Sequence, residues 1–203
     1  MENRIYYNTV KLERLENNIW FMKTENIERY LNSVGKKVVN QSKGNLQRAG
    51  KGGKLEESIY FKVVPEGDGF VLQFYMSIYG QYVDKGVSGT KQKRTFKNYK
   101  KKVVKSPYAY RNAENHSQPP SKALDKWVVR KGIAPRDAKG KFMKRKTITF
   151  LIARKIGRFG IQGISFFQKP LSLALDNFGK DLLGNIKEDI LNTLKKETIT
   201  QLN

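Results

Sequence analysis

Lys91, Lys93, Arg94, Lys97, Lys100, Lys101, Lys102 and Lys105 crowd one short stretch, with Phe96 and Tyr99 among them and Tyr108, Tyr110 and Arg111 just after. Ammonium and guanidinium groups at this density neutralise phosphates without reading bases, while aromatic rings can stack on bases or anchor in a partner's surface. The cluster is part of a longer basic run. Residues 85–158 hold 23 Lys/Arg against Glu114, Asp125 and Asp137, which is +20 of the formal +22 of the 203-residue chain. Outside it, 17 basic residues face 15 acidic ones, an ordinary balance. Exposed charges are screened beyond roughly 8–10 Å at physiological salt, so a concentrated block acts on one place, and its natural partner is a polyanion.

Three readings of the cluster stay open: nonspecific contact with DNA phosphates, an arm docked on an acidic face of a neighbouring subunit, and a solvated loop. Aromatics spaced through a charged loop imply burial against something, which favours the arm. The stretch from about residue 88 to 120 shows no apolar periodicity, so it reads as a structureless basic insertion, its residues 88–118 ordered mainly by another chain. The later run Gly140-Lys141-Phe142-Met143-Lys144-Arg145-Lys146 reads either as a solvated loop or as a contact.

Chemistry of other kinds is thinly provided for. His116 is the single histidine, it sits beside Gln118-Pro119-Pro120, and with no cysteine and no carboxylate cluster it reads as an exposed loop residue rather than a metal ligand. Gly44 to Gly50-Lys51 is one residue too long for a phosphate loop, and Gly52 stands where Ser or Thr would hold magnesium. Gly157, Gly160 and Gly163 follow a predicted helix, where a dinucleotide fingerprint needs a strand, so they read as a turn. Glu56 and Glu57 diverge along an extended chain, and Glu188-Asp189 read as part of a polar helix face. The expectation is a protein that is not an enzyme and needs no cofactor.

The elements that must position these residues are legible as periods. Thr24 can cap a helix carrying Ile27, Tyr30, Leu31, Val34 and Val38 on one face and ending near Gly44; Trp20 and Phe21 before it read as a hydrophobic staple. Ile59, Phe61 and Val63 alternate in one strand, Phe70, Leu72, Phe74, Met76 and Ile78 in the next, and the turn between them spans Pro65 to Gly69. This predicts a hairpin with one buried face. Helices follow from Ser121 to Gly132, with Leu124, Trp127 and Val128 on one side, and from Thr147 to Ile156, stopped by Gly157. A last helix from Pro170 places Leu171, Leu175, Phe178, Leu182, Ile186, Ile190 and Leu194 at helical steps, and Trp127 and Phe178 read as core. The predicted fold is α+β, a small antiparallel sheet packed by helices, as one domain over residues 1–203 with a basic insertion and a C-terminal helix. The N-terminus lacks a secretory signal and the longest uncharged run, residues 69–83, is too short to span a bilayer, so the product reads as soluble and intracellular.

In order, these pieces resemble the head-tail joining and tail-completion proteins of the neck of tailed bacteriophages. Gly53-Lys54-Leu55-Glu56-Glu57-Ser58-Ile59 is similar to the family's G-x-L-x-x-S-I approach to its first strand, carried here by Leu55, Ser58 and Ile59. Tyr79-Gly80-Gln81-Tyr82-Val83-Asp84-Lys85-Gly86-Val87-Ser88-Gly89-Thr90 is similar to its Y-A-x-Y-V-E-x-G-T segment, with Asp84 in place of the commoner Glu and with Val87-Ser88-Gly89-Thr90 spacing the Gly-Thr pair out. Downstream, Trp127 to Ile133, Gly140-Lys141-Phe142, Ile152 to Ile156 and Gly160-Ile161 to Phe166-Phe167 resemble the block before the family's last helix. The Lys- and Asn-rich composition with its insertion is similar to that of neck ring proteins of crAss-like phages. The resemblance implies that Asp84 and Gly86 close the sheet. It also implies a structural virion protein, made in the host cytoplasm, forming a homo-oligomeric ring between the portal and other neck and tail proteins around double-stranded DNA, with no membrane partner. The alternative is a free, nonspecific nucleic-acid-binding protein.

Overall fold

Ile27, Leu31, Val34, Val38 and Leu46 are all buried on one face of a long helix, α1 (Glu25–Arg48). The computed structural model describes residues 7–11, 24–66, 69–110, 119–136 and 138–201, with backbone alone at 7–11 and 196–201. Trp20, Phe21, Gly67, Asp68, Arg111, Glu114, His116 and Asp137 therefore lie outside the described residues. The helix runs past Gly44, its expected end. A helical glycine costs only about 1 kcal/mol relative to Ala, and Leu46, fully buried, holds the last turn in place.

Thr24 makes no side-chain capping bond. The first-turn amides are instead taken by a residue 163 positions away, Asp189 of α7 (Phe178–Gln201). Its carboxylate accepts hydrogen bonds from the backbone N–H of Asn26 (3.2 Å) and Ile27 (3.1 Å) and from Asn26 Nδ2 (2.9 Å). An anion at the positive end of a helix satisfies orphan donors and opposes the dipole at once. Asp189 is 1% exposed, so it is not on a polar face as its neighbour Glu188 is.

The sheet beside α1 has three strands in the order β1-β3-β2, all antiparallel: β1 (Tyr7–Lys11), β2 (Tyr60–Glu66) and β3 (Gly69–Tyr75). The β2–β3 hairpin forms as its alternation predicts, with Phe61 opposite Phe74 and Val63 opposite Leu72. One buried face was too few. As the central strand, β3 buries Val71 and Tyr75 as well as Leu72 and Phe74, and Tyr60 stacks on Tyr75 at 4.7 Å. Gly35 lets the Phe61 ring close on α1, since a Cβ there would fall 2.3 Å from Phe61 Cδ2. Gly35→Ala is expected to destabilise the chain by about 1–3 kcal/mol, read as a lower denaturation midpoint.

The expected single tail helix is two, α6 (Gln168–Leu175) and α7, separated at Asp176 and Asn177. Phe166, Phe167, Leu171, Phe178 and Leu182 are core, with Phe167 edge-on to Phe74 at 5.3 Å and Phe178 5.7 Å from Tyr30. Farther along α7 the predicted apolar face fails: Ile190 and Leu194 are 41% and 53% exposed.

Two compact units result, one of Met1–Gly80, Tyr99–Lys101 and Phe166–Asn203, the other of Gln81–Asn98 and Lys102–Ser165. The first is the sheet with α1, the single turn α2 (Lys54–Glu57), where Glu56 and Glu57 are helical and not extended, α6 and α7. The second contains the body of α3 (Gly80–Lys85), the paired strands β4 (Thr95–Lys97) and β5 (Val103–Lys105), a 3-10 turn at Ser121–Leu124, α4 (Asp125–Arg130) and α5 (Arg145–Phe159). Trp127, expected in the core, is 36% exposed on α4, whereas Val128 beside it is buried. The chain is α+β, with a small antiparallel sheet, a second short hairpin and a C-terminal helix. No helix among the described residues is long and apolar enough to cross a membrane.

Candidate functional site

The basic stretch is held by glycines. In the second unit, Val87 and Ile161 exchange both backbone hydrogen bonds, at 2.9 and 2.8 Å, and the flanking glycines let the two segments touch backbone to backbone. A Cβ on Gly86 would lie 2.5 Å from Gly163 N, and one on Gly89 would lie 2.2 Å from Arg158 O. Gly160 and Gly163, read from sequence as a turn, are the other side of this crossing. Ile164 and Ser165 N–H extend it by donating to Val83 and Asp84 carbonyls (3.1 and 3.0 Å), and Asp84 itself is 1% exposed.

From the crossing the chain passes to the C-terminal end of α5, where Thr90 and Lys91 N–H donate to the orphan carbonyls of Gly157 and Arg158 (both 2.9 Å). It returns beside itself: Ser88 N–H donates to Tyr108 O and Tyr110 N–H to Ser88 O. Ser88 Oγ accepts from Arg94 N–H, Ser106 Oγ donates to Gly86 O, and Gln162 Nε2 donates to Thr95 O. The described part of the expected insertion, residues 88–110, is thus not structureless. Polar and backbone bonds build it, and these leave no apolar period to read.

Within it, β4 and β5 pair Thr95 with Lys105, Phe96 with Val104 and Lys97 with Val103. Phe96, 9% exposed, faces inward, which withdraws it as a docking anchor. Lys97, Val103 and Lys105 face out. Lys91, Lys93, Lys97, Lys102 and Lys105 are all exposed, and among the described residues their side chains make no hydrogen bond or ion pair. Arg94 differs: its Nε donates to Phe159 O at 2.8 Å, which makes it a tether for the loop. Tyr108 donates its hydroxyl to Gln81 (2.6 Å) and meets the Tyr82 ring edge-on at 4.6 Å. With Tyr110, Val87 and Ile161 these two rings line an open groove of about 650 Å³. Burial pushes the Tyr110 phenol above its ordinary value, so it stays neutral.

Tyr99, Lys100 and Lys101 belong to the first unit. Tyr99 N–H donates to Gln168 Oε1 (3.0 Å), Lys100 Nζ lies 5.7 Å from the Tyr99 ring centre, and Lys101 pairs with Asp176 at 2.6 Å. The last two side chains are 61% and 41% exposed, so their pair contributes at most about 1 kcal/mol. Among the motif residues of that unit, Leu55 and Ile59 are core, and Ser58 Oγ donates to Leu55 O and accepts from Ser77 N–H. Tyr79 and, in the second unit, Tyr82 are 46% and 40% exposed; Val83 is half-buried.

The charge follows the units. The second holds 21 Lys/Arg against 4 Asp/Glu, the first 19 against 14. No three His, Cys, Asp or Glu side chains gather as a metal site among the described residues. Compared with known proteins, the chain matches no family model, no curated protein and no solved structure.

Proposed function

We propose that this chain is a structural virion subunit that assembles into a ring in the neck of a tailed phage, between the portal and the tail, around the passage for double-stranded DNA. The observation that carries the reading is the segregation of charge: a unit with 21 basic and 4 acidic residues presents, from a folded loop, Lys91, Lys93, Lys97, Lys102 and Lys105, whose side chains make no hydrogen bond or ion pair among the described residues. Such a surface suits a phosphate backbone that must be tolerated without sequence preference. Of the residues that carry the resemblance, Leu55, Ile59, Asp84 and Gly86 are buried and Ser58 is bonded in a turn, which supports the reading, whereas Tyr79 and Tyr82 are exposed.

The same lysines also favour the second reading, a free nonspecific nucleic-acid-binding protein. Native mass spectrometry without DNA separates the two: a closed oligomer of fixed copy number supports the ring, whereas a monomer that binds duplex tightly at low salt supports the alternative. In either case, contact by Lys91, Lys93, Lys97, Lys102 and Lys105 predicts a slope of log affinity against log salt of about −4 to −5. Changing Lys97, Lys102 and Lys105 to Gln should flatten that slope by roughly 3. A triple variant with unchanged slope and unchanged assembly removes these lysines from both readings.

A further inference from the structure

We propose that the groove between α4 and α5 docks an acidic amphipathic segment of a partner protein. Its floor is Val128 and Ile148, both buried, and its walls are Val129, Ile133, Phe142 and Met143, enclosing about 340 Å³. Val129 and Phe142 are 57% and 59% exposed, although the backbone around them is fixed. Ile133 N–H donates to Val128 O, Met143 N–H donates to Pro135 O, and Arg136 pairs with Phe142 as an antiparallel bridge. Arg136 also donates to Gly140 O at 2.8 Å, and its guanidinium lies 4.0 Å from the Phe142 ring centre. The apolar surface is therefore preformed and costs little to organise on binding.

The rim decides what fits. Arg145 lines the groove, the exposed Lys126, Arg130, Lys131, Lys144 and Lys146 each lie within two residues of a lining residue along the chain, and the one acid of α4, Asp125, is held by Arg145 at 2.8 Å. A duplex would meet the cations but has no outward apolar group to cover Val129 and Phe142. A helix or strand with Leu or Phe on one face and Asp or Glu beside it satisfies both, by the apolar anchoring and charge complementarity of helix-in-groove recognition. This surface is built from residues other than the lysines of the β4–β5 loop and does not depend on the ring assignment.

The test uses the full chain and a fluorescein-labelled helical peptide with Leu at i, i+3, i+4 and i+7 and Glu elsewhere, with a Lys-for-Glu counterpart. Anisotropy should show micromolar binding of the Glu peptide only. Val129→Ser with Phe142→Ser should weaken it at least about tenfold and leave duplex binding unchanged. Because both side chains are more than half exposed, the circular dichroism melt should hold. Arg130→Glu with Lys131→Glu, on the rim, should lose the Glu peptide and gain the Lys peptide, which keeps the test intact if the apolar variant misfolds. Absence of Glu-peptide binding, equal binding of both peptides, or a double Ser variant that loses duplex DNA or phosphatidylserine vesicles but keeps the peptide overturns the proposal.

Discussion

Gly160→Ala is expected to be the most damaging single-methyl change in the chain, lowering the stability of the second unit by more than about 3 kcal/mol. Gly160 has φ 68° and ψ −168°, a region open essentially to glycine alone. A methyl there would lie 2.1 Å from Val87 O and 2.6 Å from Gly89 N. Both are backbone atoms that cannot swing away, and Val87 O already accepts Ile161 N–H at 2.8 Å. Relief requires parting the crossing, which frees Thr90 and Lys91 from the end of α5 and with them the loop that presents the lysines. Hydrogen exchange of amides 87–91 and 160–165 should rise sharply in the variant. Gly179→Ala and Gly184→Ala are the controls: each sits in α7 with nothing within 4 Å of the added methyl, and each should stabilise by about 0.5–1 kcal/mol. Native exchange protection in Gly160→Ala would refute the crossing.

Asp189→Ala is expected to cost about 3 kcal/mol, because two backbone amides and the Asn26 side chain lose a charged acceptor that is itself buried. Asp189 is 1% exposed, and its bond to Ile27 N–H is fully buried. Asp189→Asn keeps one carbonyl acceptor and should cost roughly half as much. Lys101→Ala removes an ion pair from the same unit, yet that pair is solvent-screened and its loss should cost less than about 1 kcal/mol. Urea unfolding of the three variants orders them; an Asp189→Ala midpoint equal to that of Lys101→Ala would mean that the cap is not stabilising.

Local period and charge were readable without coordinates because they are properties of neighbouring residues. Ile27, Leu31, Val34 and Val38 recur at the helical step and are buried. Alternation at Phe61, Val63, Leu72 and Phe74 marks the β2–β3 hairpin, and the count of basic residues locates the unit that carries the charge. The α+β class follows from those signals. Strands of three residues, as at Thr95–Lys97 and Val103–Lys105, contain too little of a period to be seen, so a folded loop passed for a structureless one.

The rest required the tertiary structure, since it depends on what lies far along the chain. Nothing near Asn26 announces a cap from Asp189, and nothing near Gly160 announces Val87 O. The glycines, the phenylalanine at 96 and the lysines beside it were all visible as letters. Which of them would be packed and which left to solvent was decided by the partner each met. Ile190 and Leu194 continue the period of Leu182 yet stay exposed, because periodicity orients a face whereas burial needs a second surface to cover it.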